Sequence, residues 1–308
     1  MPWKAVVEVT GNCNSRCSMC DVWRERREDL PTEFYLDLAE KLNVRVVHIT
    51  GGEPTLRRDL AEIVRAFGRR AFVELSTNGL IQFEPPPDVR ISIGVSIDGT
   101  ADTYKASRGL DLFDRAFSNF MRLRDEGGLV HINYTISRAN AGKLASFLAF
   151  LRERGVAARE VSLSVEQGGY LFRRSVEYDG EFIRGALRDL DSYERALREE
   201  GGRGFLGRVR YAYLLAMVEV MRRRLLEFSR GIREPVNCGA GREFFTVTFD
   251  GKLAPCNYVG AIAPLGREGF RKLRRFDSRS CGIQCLNFCN QLAYIRMAPL
   301  RFLRGLLH

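Results

Sequence analysis

The chain has 308 residues, 45% of them hydrophobic, enough for one large core or one core with an appended module. No stretch reaches the roughly 18 apolar residues that span a bilayer, and no signal-peptide pattern precedes Cys13, so a cytoplasmic protein is expected. The formal net charge of +10 is concentrated at one end: residues 267–308 carry nine Arg or Lys against Glu268 and Asp277, a local +7, which leaves +3 for the rest.

Eight cysteines fall in two groups, three within 13–20 and five within 238–289. Disulfide scaffolds spread their thiols more evenly, so the grouping reads as two sets of metal ligands in a reducing compartment. In chain order, Lys4–Thr10 reads as a buried strand, and the loop Cys13-Asn14-Ser15-Arg16-Cys17-Ser18-Met19-Cys20 follows with spacing C-x3-C-x2-C. Four thiolates close a structural zinc site or an iron–sulfur cluster. Three leave one iron of a four-iron cluster open to a substrate or cofactor.

A helix is expected from Pro31-Thr32-Glu33 to about Leu42, then a strand over Val44–Thr50 that ends in Gly51-Gly52-Glu53-Pro54. Glycines let backbone approach a ligand, Glu53 offers a carboxylate, and Pro54 fixes the turn. The alternation continues with a helix over Asp59–Phe67, strands over Phe72–Ser76 and Val89–Ile97, a helix over Phe113–Asp125, a strand over Val130–Ile136, a helix from Asn140 to Glu153 and a strand over Val161–Val165. Six strands alternating with helices predict a parallel sheet with helical crossovers. Polar or glycine residues gather after each strand, at the edge where such sheets build active sites.

The three-cysteine loop followed some thirty residues later by Gly51-Gly52-Glu53-Pro54 resembles the radical S-adenosylmethionine (SAM) superfamily. The resemblance implies a partial (β/α)6 TIM-like barrel and a [4Fe-4S] cluster held by Cys13, Cys17 and Cys20, whose open iron binds SAM. Reductive cleavage of SAM in that family yields a 5′-deoxyadenosyl radical that abstracts hydrogen from a substrate. It further implies that Gly51, Gly52, Glu53 and Pro54 hold the SAM amino group, and that Ser76, Thr77 and Asn78 line the pocket. Ser96 and Asp98 would contact the ribose and carboxylate of SAM, Arg108 would face the carboxylate, and Thr135 and Asn140 are weaker matches. Met19 stands where the family usually has an aromatic residue near the adenine.

Residues 180–230 read as helical, with a break at Gly201-Gly202 and Gly204. Beyond them, Cys238 and Cys256 flank a strand over Phe244–Phe249 and a hairpin turn at Asp250-Gly251, and Cys281, Cys285 and Cys289 follow at spacing C-x3-C-x3-C. This segment resembles the SPASM and twitch extensions of radical SAM enzymes, which hold auxiliary clusters. Five thiols suit one auxiliary [4Fe-4S] cluster held by Cys238, Cys256 and two of the last three; a further cluster with non-Cys ligands and a structural zinc are the alternatives. The tail, with Pro299 inside it, reads as a basic amphipathic segment that docks on the barrel or meets a membrane surface or nucleic acid. The expected division is 1–175 for the barrel core, 176–235 for a helical connector, 236–290 for the auxiliary-cluster module and 291–308 for the tail.

The resulting reading is hydrogen abstraction from a peptide or small metabolite for oxidation or cross-linking. The auxiliary cluster would accept an electron from the substrate radical, bind substrate at an open iron or brace the module, and a reductase, ferredoxin or flavodoxin would be the electron donor. Glu166, Tyr170 and Tyr178 are positional candidates for acid–base work. The alternatives are modification of RNA or lipid and, outside catalysis, a two-cluster electron carrier.

Overall fold

The computed structural model describes residues 2–169, 178–202, 204–232, 236–281, 285 and 291–306. Its strands are β1 (Lys4–Glu8), β2 (Val46–Thr50), β3 (Phe72–Thr77), β4 (Ile91–Ser96), β5 (Leu129–Ile136), β6 (Val161–Val165), β7 (Phe244–Val247), β8 (Lys252–Ala254) and β9 (Ala263–Pro264). Among the described residues they form one sheet in the order β6-β5-β4-β3-β2-β1-β7-β8-β9. Neighbours from β6 to β1 are parallel, with Lys4 level with Val46 and Val46 level with Phe72. Helices α1 (Thr32–Lys41), α2 (Leu60–Gly68), α3 (Ala101–Arg108), α4 (Phe113–Asp125) and α5 (Leu144–Glu153) make the crossovers, as expected for a partial (β/α)6 barrel.

Side chains alternate along each strand, which splits the sheet into two faces. Val47, Ile49, Val73, Leu75, Ile93, Val95, Ile132, Tyr134 and Val165 are buried in the hydrophobic core. Each such branched or aromatic side chain contributes about 1.5–3 kcal/mol when fully buried. The alternate positions His48, Glu74, Ser76, Ser92, His131, Asn133, Ser162 and Ser164 face a cavity of about 740 Å³ inside the barrel. Barrel interiors in the eight-stranded relatives of this architecture are packed with branched apolar side chains. Short polar side chains leave this one hollow.

Beyond the barrel lie α6 (Gly180–Glu200) and α7 (Gly204–Ser229), separated at the expected glycine break. β7 pairs in parallel with β1, Lys4 level with Phe244, so the segment expected as a C-terminal module extends the barrel sheet directly. β7 and β8 form the expected antiparallel hairpin, with Gly251 at φ +74° in its turn. Three elements were not foreseen: α3, the two-residue β9, and α8 (Arg267–Arg275). The tail forms α9 (Gln291–Met297) and α10 (Pro299–Leu306) and packs on α7. A Cβ on Gly305 would lie 2.8 Å from Ala212 Cα, and Arg296 and Arg301 pair with Glu243 and Glu194. No helix among the described residues is long and apolar enough to cross a membrane.

Candidate active site

The cysteine loop leaves the C-terminal end of β1 and is pinned on two sides. Asn12 accepts the Arg27 N–H at its side-chain oxygen (2.9 Å) and donates from Nδ2 to the Arg27 carbonyl (2.7 Å). On the other side, the N–H groups of Arg16 and Ser18 donate to the carbonyls of Arg108 and Ser107 at 3.2 and 2.9 Å. Those carbonyls end α3 and have no partner inside the helix, so the loop satisfies them. Gly109 closes α3 at φ +72°, and a Cβ there would lie 2.3 Å from the Arg16 carbonyl oxygen.

Gly51 and Gly52 carry a reason beyond ligand approach. Gly52 and Glu53 donate their N–H groups to Thr10 and Asn12 at 2.8 Å each, so the turn after β2 zips onto the cysteine loop. A Cβ on Gly51 would lie 2.3 Å from the Thr10 carbonyl oxygen, and one on Gly52 2.0 Å from that of Asn12. Backbone meets backbone there, and only glycine fits.

The loop, the glycine turn and the ends of β3 to β6 enclose a cavity of about 350 Å³. Its wall contains Cys13, Cys17, Cys20, Met19, Gly51, Gly52, Glu53, Ser76, Thr77, Asn78, Ser96, Arg108 and Thr135. Pro54, Asp98 and Asn140 are not on that wall. Pro54 opens the short helical turn Pro54–Leu56. Asp98 is fully buried and accepts from Ser107 Oγ (2.8 Å) and the Thr135 N–H (2.7 Å). Its Oδ2 also lies 2.5 Å from Arg108 Nε. Asn140 bonds the Asp98 and Thr135 carbonyls and so braces the turn after β5.

Glu53 ties three segments together. Its Oε1 accepts from Thr55 Oγ1 and Thr77 Oγ1, both at 2.6 Å, and its Oε2 accepts the Asn78 N–H at 2.6 Å. Asn78 in turn donates to Asn14 Oδ1 (2.7 Å) and Ser15 Oγ (2.8 Å) inside the cysteine loop. Burial raises the Glu53 carboxyl above its ordinary range, opposed by these hydrogen bonds.

The donor set fits an iron–sulfur cluster. Burial pushes the Cys13 thiol up to about 12 and the Cys20 thiol up to about 11, and bound metal would displace those protons. Arg108 Nη1 lies 3.7 Å from Cys17 Sγ and offers positive charge to a thiolate. Among the described residues no three His, Cys, Asp or Glu side chains converge on one ion position.

Several wall residues escaped the sequence reading: His48, Asn133, Ser162, Ser164, Gln167 and Tyr258. The signal for the strand residues was the alternation itself, since His48 is two before Thr50 and Asn133 two before Thr135. Glu166 is on the wall and accepts the Arg138 N–H at Oε2 (3.1 Å), whereas the Tyr178 hydroxyl donates to the Glu166 carbonyl (3.0 Å). Tyr170 lies outside the described residues.

Of the second cysteine group, Cys238, Cys256 and Cys285 are buried, Cys281 is half-buried, and Cys289 lies outside the described residues. Burial raises the Cys238 thiol, with Ser278 and the nearby Cys281 among its neighbours. Gln167 joins this group to the cavity: its side chain lines the wall and donates from Nε2 toward Cys285 Sγ at 3.6 Å.

Three thiol donors beside a glycine turn, at the C-terminal edge of a hollow parallel barrel, define an α/β-barrel enzyme that works with an iron–sulfur cluster. Residues 7–151 match the family model described as the Radical SAM superfamily. Among curated proteins, a "Probable GTP 3′,8-cyclase" of Saccharolobus solfataricus is 28% identical over 270 residues, 82% of either chain. A "GTP 3′,8-cyclase" of Pectobacterium atrosepticum is 29% identical over 201 residues, 59% of this chain and 61% of that one. Among solved structures, anSMEcpe with bound AdoMet and a Cp18Cys peptide superposes with a TM-score of 0.63 at 12% identity, covering 100% of this chain and 99% of that one. Streptococcus suis SuiB bound to its precursor peptide SuiA gives 0.61 at 16% identity, covering 94% and 71%. These two share the fold. Residues 7–151 form a radical SAM domain, and the chain is a radical SAM iron–sulfur enzyme, whose cofactors are a [4Fe-4S] cluster and SAM.

Proposed function

We propose that Cys13, Cys17 and Cys20 hold the cluster, and that SAM lies between them and Gly51–Glu53. A peptide segment or small polar metabolite would occupy the hollow barrel beneath. The observation that carries this reading is the shared wall: His48, Ser76, Asn133, Ser162, Ser164 and Tyr258 border both the cysteine cavity and the larger barrel cavity. When bound, the cluster and SAM supply a carbon-centred radical that takes a hydrogen atom from a C–H bond. The chain's own part is to orient the partners and exclude water: Arg108 offers its guanidinium to a carboxylate, and the polar barrel wall offers hydrogen bonds to the substrate. Cys238, Cys256 and two of Cys281, Cys285 and Cys289 would supply the four thiols for an auxiliary cluster beyond Gln167.

A second reading, action on GTP, is favoured by the names of the relatives. The barrel wall gives it little support. Among the described residues its cations are Lys4, Arg159 and Arg210. Lys4 is paired with Glu74 and Arg159 with Glu200, which leaves Arg210 outside any ion pair to meet a triphosphate.

The test is release of 5′-deoxyadenosine from anaerobically reconstituted protein given SAM and a strong reductant. Separate arms add peptide, small-metabolite, RNA and lipid fractions of source cells, or GTP. Stimulation by the peptide or metabolite arm is the expected outcome. Stimulation by GTP alone would replace this reading with the second, and no release from a fully iron-loaded protein would defeat both.

A further inference from the structure

We propose that Ser76 and His48 form a proton-accepting pair in the shared wall, drawing a proton from the substrate into the barrel. The identity of the cavity's occupant rests on the function proposed above; the pair itself rests on a run of contacts. Asn133 Nδ2 donates to Ser76 Oγ at 3.4 Å, and Ser76 Oγ lies 2.8 Å from His48 Nε2. His48 Nδ1 lies 4.0 Å from Glu74 Oε2, which accepts from Lys4 Nζ at 2.6 Å.

The chemistry of the groups gives the run a direction. An amide nitrogen only donates, so the Ser76 oxygen accepts from Asn133, and its own hydrogen points to His48 Nε2 when the imidazole hydrogen is on Nδ1. The Glu74 carboxylate, 4.0 Å from Nδ1, favours that tautomer. Room for this is built in at Gly94, where a Cβ would lie 2.3 Å from Asn133 Nδ2. A network that served the core alone would be closed off, but Ser76, His48 and Asn133 all border the cysteine cavity.

The step is a proton transfer and needs no oxidant. The substrate X–H bond breaks with its electron pair left on X, an O–H bond forms on Ser76, and the former Ser76 hydrogen forms an N–H bond on His48. Lys4 from β1, Glu74 from β3 and His131 from β5 are the charged and titratable groups around the imidazole. Burial and the Lys4 charge hold the imidazole down to about 4, so at pH 7 it is neutral and its Nε2 lone pair is open to the Ser76 hydrogen.

The test uses the full-length reconstituted protein with nitrogen-15 histidine. The chain has only His48, His131 and His308, so His48→Gln and His131→Gln assign the resonances. At pH 7 His48 is expected to carry its hydrogen on Nδ1, and Ser76→Ala to shift it toward the Nε2-protonated form. A hydrogen on Nε2 in the unsubstituted protein makes Ser76 the donor's target, reverses the run and overturns the proposal. In turnover with the stimulating cell fraction, Ser76→Ala and His48→Gln are expected to lower product formed per 5′-deoxyadenosine by about 100-fold, with Ser76→Thr restoring it. An unchanged ratio overturns the proposal. A wild-type enzyme that releases no 5′-deoxyadenosine counts against the proposed function instead, and the tautomer then decides this inference by itself.

Discussion

Arg108 Nε lies 2.5 Å from Asp98 Oδ2, and the same guanidinium reaches Cys17 Sγ from Nη1 at 3.7 Å. The pair is close in charge but off-axis as a hydrogen bond, since Nε has no aligned acceptor. Asp98 sits behind the cavity wall and Arg108 in it, so the carboxylate acts on the site through the guanidinium.

Asp98→Asn should therefore cost stability and weaken SAM binding together. Removing one partner of a buried pair costs about 3–5 kcal/mol, because the remaining charge stays buried. Urea unfolding and equilibrium binding of SAM to the reconstituted protein would check this. A variant with normal stability and normal affinity would show that Arg108 needs no anchor.

The two cysteine groups should lose iron independently. Cys13→Ala, Cys17→Ala or Cys20→Ala is expected to remove about four irons per chain and abolish 5′-deoxyadenosine release. Cys238→Ala or Cys256→Ala is expected to lower iron by a similar amount while the N-terminal cluster keeps its absorbance. Zinc recovered in place of iron at the second group would assign it a structural metal.

Gly52→Ala places a Cβ 2.0 Å from the Asn12 carbonyl oxygen, an atom of rigid backbone. The glycine turn must then separate from the cysteine loop. The expected loss is about 2 kcal/mol or more of stability, with poor cluster retention after reconstitution. Unfolding midpoints and iron content read both effects, and Ala at Gly207, where a Cβ would meet nothing closer than 3.7 Å, serves as the control.

Glu8 gives the stability a pH dependence with a definite sign. Burial raises its carboxyl from 4.5 to about 7, opposed by the Phe249 N–H donating to Oε2. The folded state holds this proton more tightly than the unfolded chain, so stability is lost as pH rises from 4.5 to 7. The loss is about 3 kcal/mol at 1.36 kcal/mol per pH unit. Glu8→Gln keeps an oxygen for Phe249 and should flatten this part of the profile, gaining on the unsubstituted protein at pH 8 but not at pH 4. His48 runs the other way: its pKa, lowered from 6.5 to about 4, makes stability fall as pH drops through that range. Urea midpoints of Glu8→Gln and His48→Gln across pH 4 to 8 separate the two, His131 contributing with the sign of His48.

Strand order through β6, with every crossover helix except α3, was legible because each strand carries a run of branched apolar residues between turn signals. The cysteine loop and the glycine turn were legible because metal ligation and tight backbone contact restrict residue types. α3 was not legible: it buries little beyond Thr103, Tyr104 and Ser107, too weak an apolar stripe to show a helical period. His48 and Asn133 also went unmarked, since a polar residue in an alternating strand reads as solvent-facing until the sheet is known to curl.

By itself, then, the sequence determined the chemistry available: which thiols, which turn, which order of strands and helices. These follow from local bonding geometry and from hydrophobic periodicity, both written in short stretches of chain. Only the tertiary structure decided that Asp98 stands behind Arg108, that β7 adds to β1 across some 240 residues of chain, and that His48, Ser76 and Asn133 share a hollow interior. Those relations depend on sheet curvature and on contacts between distant segments, which no local pattern of residues encodes.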